Sequence, residues 1–205
     1  MTEDNITLTM TEFIYIAEIL GATELFGISD PYFGLSASEK RIVKNEAECS
    51  LEEKGLLIPG FGKSELKESD VKELVKTCIF CDGLAVLDYI VGGEQKSILY
   101  YIKGSIAVRL ENMGETLCLK RTLPKRITFE IEDILRAENS SGIFSFSATN
   151  FIANVVENIT VEKNDDKYVK ISLDNISENV LRTALSMEEL INELHRIGML
   201  IDMEV

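Results

Sequence analysis

The chain has 205 residues, of which 45% are apolar, and a formal net charge of −14. This length suits one domain, or two small, closely packed ones, with a real core. The acid excess, −6 over residues 1–125 and −8 over residues 126–205, repels phosphate and disfavours nucleic-acid binding. No apolar run approaches the ~20 residues of a membrane helix, and the acidic start MTEDNITLTM has neither the basic head nor the apolar stretch of a secretory signal. A soluble, cytoplasmic protein is expected. Its four cysteines, Cys49, Cys78, Cys81 and Cys118, read as small buried hydrophobes of a reducing compartment.

Thr9-Met-Thr-Glu12 has the pattern of a capping box and opens a helix with Phe13, Ile16, Ala17 and Leu20 on one face, stopped at Gly21. A loop follows through Asp30-Pro31 to Gly34. Ser36-Ala-Ser-Glu39 is a second capping box, whose helix carries Ile42, Val43, Ala47 and Leu51 and ends at Gly55. A third helix is expected over about 69–80, with Val71, Leu74, Val75, Cys78 and Ile79 inward.

Four short apolar runs, 84–91, 97–103, 106–110 and 116–120, are separated by Gly92-Gly93, Gly104-Ser105 and Asn112-Met113-Gly114. β-Branched and aromatic residues between such breaks indicate an antiparallel meander. After Pro124 a helix is expected with Thr128 as a cap, although residues 126–131 also suit a strand. Residues 143–146 read as a short strand and 148–159 as a helix with Phe151, Ile152, Val155 and Val156 inward. Asn164-Asp165-Asp166 is a turn before a strand of alternating residues from Tyr168. Asn175-Ile-Ser-Glu178 reads as the cap of a helix holding Val180, Leu181, Ala184 and Leu185. Ser186-Met-Glu-Glu189 caps the last helix, where Leu185 and Leu190 suit a hydrophobic staple and Leu190, Ile191, Leu194 and Ile197 form the stripe up to Gly198. The whole is an α+β chain with a central antiparallel β-meander sheet flanked by helical bundles. It is read as one domain over 1–205: helical over about 6–82, meander over about 83–123, mixed over about 124–205. The two halves share a loose order of elements, a suggestion of pseudo-two-fold symmetry without any residue-level repeat.

No reactive constellation stands out. Gly60-Phe-Gly62-Lys63-Ser64 lacks the Walker spacing, which would need Gly where Leu57 stands, and Glu65 and Glu68 would repel phosphate. Cys78-Ile-Phe-Cys81 lacks a second ligand pair for zinc, and as the end of a helix it is in the wrong place for a redox pair. His195 is the lone histidine and lies near a helix C-terminus. The pairs Glu52-Glu53, Asp165-Asp166 and Glu188-Glu189 are explained by solvation and the helix dipole. Residues 46–58 have the outline of a recognition helix before a wing, but Glu46, Glu48, Glu52 and Glu53 occupy the side that would need Arg or Lys. No enzymatic activity, cofactor or metal is expected.

Phe13-Ile-Tyr-Ile-Ala-Glu-Ile-Leu-Gly21, then Ala47, Leu51, Gly55, Leu56 and Leu57, then the meander and a C-terminal helical pair resemble the EspG-like chaperones of type VII (ESX) secretion. The chain also resembles small Firmicute proteins encoded near type VII toxins. The resemblance implies a central antiparallel sheet with helical bundles and binding of a secreted helical protein, WXG- or LXG-like or a toxin, without chemistry. It implies contacts from a loop of the sheet, 92–96 or 111–115, and from the helix region 190–199. The residues concerned are Glu94, Gln95, Asn112, Met113, Leu190, Leu194 and Met199. An acidic regulator that mimics nucleic acid towards a basic protein is the alternative.

Overall fold

Three side chains begin three helices by the same device. Thr9 Oγ1 accepts from the Glu12 amide at 3.1 Å while the Thr9 amide donates to Glu12 Oε2 at 2.8 Å. Ser36 with Glu39, and Ser186 with Glu189, repeat the reciprocal bonds. Each box satisfies two amides that a helix start would otherwise leave without partners. Ser69 caps a fourth helix by accepting from the Lys72 amide. In this computed structural model, residues 5–60, 64–137, 141–173 and 180–201 are described. The Phe61-Gly62-Lys63 part of the glycine motif and the Asn175–Glu178 cap lie outside them.

The chain is α+β with a central antiparallel sheet, as expected. It divides into two units, the first made of residues 1–80 and 110–121, the second of 81–109 and 122–205.

In the first unit, β1 (Ile6–Thr9) pairs antiparallel with β7 (Thr116–Thr122), setting Leu8 opposite Leu117 and Ile6 opposite Leu119. Helices α1 (Met10–Ile19), α2 (Ala37–Glu53) and α3 (Asp70–Ile79) supply Phe13, Ile16, Ala17, Ala47, Leu51, Leu74, Val75 and Cys78 to the core. The expected stripe of α2 is shorter in fact. Ala47 and Leu51 are buried, but Ile42 is 55% exposed, because only the later turns of this polar helix reach the core. Where the sequence suggests a plain connection, β2 (Leu57–Ile58) and β3 (Glu65–Leu66) form a two-residue ladder.

In the second unit the strand order is β5-β4-β8-β9-β10-β11, from β4 (Gly83–Val91), β5 (Glu94–Lys103), β8 (Gly142–Asn150), β9 (Val155–Asn164), β10 (Lys167–Leu173) and β11 (Val180–Leu185). β6 (Ile106–Asn112) begins here and ends in the first unit. Alternation puts Ala85, Leu87 and Tyr89, Ile98, Tyr100 and Ile102, Phe144, Phe146 and Ala148, and Ile159 and Val161 into the core. Tyr89 and Phe144, opposite each other in register, stack with centroids 5.6 Å apart. Helices α4 (Pro124–Ala137) and α5 (Met187–Gly198) close this core with Ile127, Ile131 and Leu135, and with Leu190, Leu194 and Ile197. Each such side chain contributes about 1.5–3 kcal/mol when fully buried.

Three expectations are corrected. Helix α4 starts at Pro124, not at a Thr128 cap; proline at the first helical position has no amide to lose. The helix expected over 148–159 is the hairpin between β8 and β9. Asn150 Oδ1 accepts from the Ala153 amide at 2.8 Å, Asn154 takes φ 53°, and Ile152 and Val156 are 72% and 62% exposed. The apolar residues on either side of that turn imitate a helical period, whereas Val155, Val156, Ile159, Thr160 and Val161 favour a strand. The helix expected at 180–185 is β11, paired residue for residue with β10 from Leu173–Val180 to Tyr168–Leu185. A ladder partner decides that segment, and its sequence does not contain one.

Candidate binding surfaces

Gly92 and Gly93 have φ of 62° and 87°. Two consecutive positive angles are what a two-residue hairpin requires, and glycine adopts them without steric cost. The turn brings Glu94 and Gln95 into solvent at the start of β5. In the first unit, the turn after β6 is pinned twice. Asn112 Oδ1 accepts from the Gly114 amide at 2.9 Å, and the Met113 amide donates to the Thr116 carbonyl at 2.8 Å. Met113 is 62% exposed, an adaptable thioether carried on an ordered turn.

Helix α5 divides its residues differently from the sequence reading. Leu190 and Leu194 are 0% and 3% exposed, and both belong to the core. They hold the helix on the sheet and offer nothing to a partner, so their assignment to a contact surface is corrected. The solvent side is ionic: Arg196 pairs with Glu157 and Glu193, and Lys170 also reaches Glu193 at 3.4 Å. Met199, at the C-cap, is 70% exposed.

The structure adds an apolar surface that the sequence reading missed. Both helices of the second unit cover one face of its sheet. On the other face Ile90 and Ile143 lie opposite each other, each 44% exposed, with Val156 and Val180 further along at 62% and 56%. Ser145 and Thr160 share a hydrogen bond between them at 3.2 Å. The clue was alternation within β8 and β9, hidden by the helical reading.

His195 and Cys81 are occupied in packing. The half-buried His195 ring stands edge-on to Phe129 at 5.4 Å, with Nδ1 3.5 Å from Thr128 Oγ1. Burial pushes the Cys81 thiol up to about 11, so it stays protonated at neutral pH. Among the described residues, no three His, Cys, Asp or Glu side chains are grouped to hold a metal ion. Among the described residues, no helix is long and apolar enough to cross a membrane.

No family model matches the sequence, and no curated protein matches it. The structure resembles a solved one, the Mycobacterium tuberculosis type VII secretion system chaperone EspG5 in complex with a PE25-PPE41 dimer. The match has a TM-score of 0.67 and covers 95% of both chains at 8% sequence identity. The fold is therefore similar to that of this chaperone. At this identity the likeness concerns fold alone.

Proposed function

We propose that this protein is a non-catalytic cytoplasmic chaperone that binds a secreted helical protein of a type VII-like system and keeps an apolar part of it covered until export. One observation carries this reading: the fold correspondence extends over 95% of both chains, so it is not a shared hairpin or helical pair. The proposed contacts are Glu94, Gln95 and Met199 in the second unit and Asn112 and Met113 in the first. All five are exposed and lie at turns or a helix end. Methionine at such positions fits a helical partner's apolar side chains by changing rotamer. The acidic charge of the chain favours a basic partner and speeds encounter with it.

The test places a charge at these positions. Met113→Asp and Met199→Asp are each expected to reduce recovery of a co-expressed secreted helical partner by at least about tenfold, the effect of roughly 1.4 kcal/mol, with the unfolding midpoint unchanged. Undiminished recovery with both variants would remove these turns from the binding surface.

A further inference from the structure

We infer that a cavity in the second unit binds a small amino-carboxylate zwitterion, either a free amino acid or a short peptide. The cavity has a volume of about 590 Å³ and is lined by Arg136, Lys163, Asp165, Asp166, Tyr168 and Met187. That size lies within the range of small-molecule sites. The lining comes from the end of α4, from β9, from the turn into β10, from β10 itself and from the first residue of α5. The inference stands independently of the chaperone reading.

Tyr168 marks the site. It is 7% exposed, faces Lys163 in register, and lines the cavity. Among the described residues its hydroxyl has no hydrogen-bond partner, so it can donate to a polar ligand atom. Lys163 is 3% exposed, and its ammonium spends one donor on the Leu135 carbonyl at 2.7 Å. Two further N–H bonds remain to it. Arg136 engages Glu132 through Nε and Nη2, at 2.9 and 2.7 Å, and keeps other donors. In the same lining, Asp165 and Asp166 form no ion pair among the described residues.

The charge arrangement selects the ligand class. A simple anion attracted by Lys163 and Arg136 meets the two aspartates. A simple cation attracted by the aspartates meets the lysine and the arginine. A molecule carrying one charge of each sign satisfies both groups, with its carboxylate towards Lys163, Arg136 and the Tyr168 hydroxyl and its ammonium towards the turn. Burial pushes the Tyr168 hydroxyl above its ordinary range; Asp166 adds to this and Arg136 opposes it, so charges of both signs act on that hydroxyl. Met187 provides apolar lining for a ligand's body.

Calorimetric titration of the full chain with four probes tests the assignment: L-leucine, L-leucyl-L-leucine, isopentylamine and 4-methylpentanoate. One or both zwitterions are expected to bind, with the amine and the acid at least about tenfold weaker, the effect of one lost charged contact. The stronger zwitterion tells amino acid from peptide. Tyr168→Phe, which keeps the ring, should weaken the zwitterion about five- to tenfold, and Asp166→Asn should weaken it while strengthening 4-methylpentanoate, whose carboxylate no longer meets that charge. No binding of either zwitterion at millimolar concentration, equal binding of the amine or the acid, or affinities unmoved in both variants would overturn the proposal.

Discussion

Lys163 Nζ lies 2.7 Å from the carbonyl oxygen of Leu135, and both residues are buried. A strand lysine thus closes the last turn of α4, where the helix leaves carbonyl groups without partners of their own. Lys163→Met keeps the aliphatic length but leaves that carbonyl unsatisfied. The variant is expected to lose about 1–3 kcal/mol, measured as a lower urea midpoint with the same slope.

Gly198 is required by the close approach of two helices. A Cβ built there would lie 2.4 Å from Thr128 Cγ2 on α4. Gly198→Ala should therefore cost about 1–3 kcal/mol by overpacking. Thr128→Ser removes the clashing methyl and keeps the hydroxyl, so the double variant should recover part of the loss. A double-mutant cycle with no coupling would contradict the contact.

Burial of Leu190 against exposure of Met199 gives a paired expectation. Leu190→Asp places an unpaired charge in the core and should cost more than about 4 kcal/mol. Met199→Asp should stay within about 0.5 kcal/mol of the parent. Thermal melts of the two variants side by side check both statements.

Glu12 gives a pH dependence. Burial pushes its carboxyl up, but hydrogen bonds from the Lys54 and Ser50 side chains and the Thr9 amide, together with the Lys54 charge, outweigh this and hold it below the usual carboxylate range. A folded-state value below the unfolded one stabilises the protein above the ordinary carboxylate pKa. That stability is lost as pH falls through the lowered value. Glu12→Gln should therefore be less stable than the parent at pH 7, and the gap should shrink progressively below about pH 4.5. A gap that does not change with pH would contradict the ion pair with Lys54.

The legible parts of this fold were those decided within a few residues. Capping boxes at Thr9, Ser36 and Ser186 fixed helix starts, and Gly92-Gly93 and Asn112-Met113-Gly114 marked the meander turns. The hairpin at 150–155 and strand β11 were misread because apolar spacing across a short turn matches a helical period, and only a neighbouring ladder tells them apart. Burial of Leu190 and Leu194 was legible as an apolar stripe, yet which helix face meets the sheet is a tertiary fact. The cavity around Tyr168 draws on α4, β9, β10 and α5, and nothing local in the sequence announces that these side chains meet.

The central claim is best tested by deleting the gene in its native host and measuring export of helical secreted proteins, with the complex followed by size-exclusion chromatography of the cytosol. The account predicts a stoichiometric complex between this chain and one such protein in the cytosol, no copy of this chain in the exported fraction, and loss of that protein's export in the deletion strain. Unchanged export of every such protein without this chain, or a stable complex that leaves the cell intact, would contradict it.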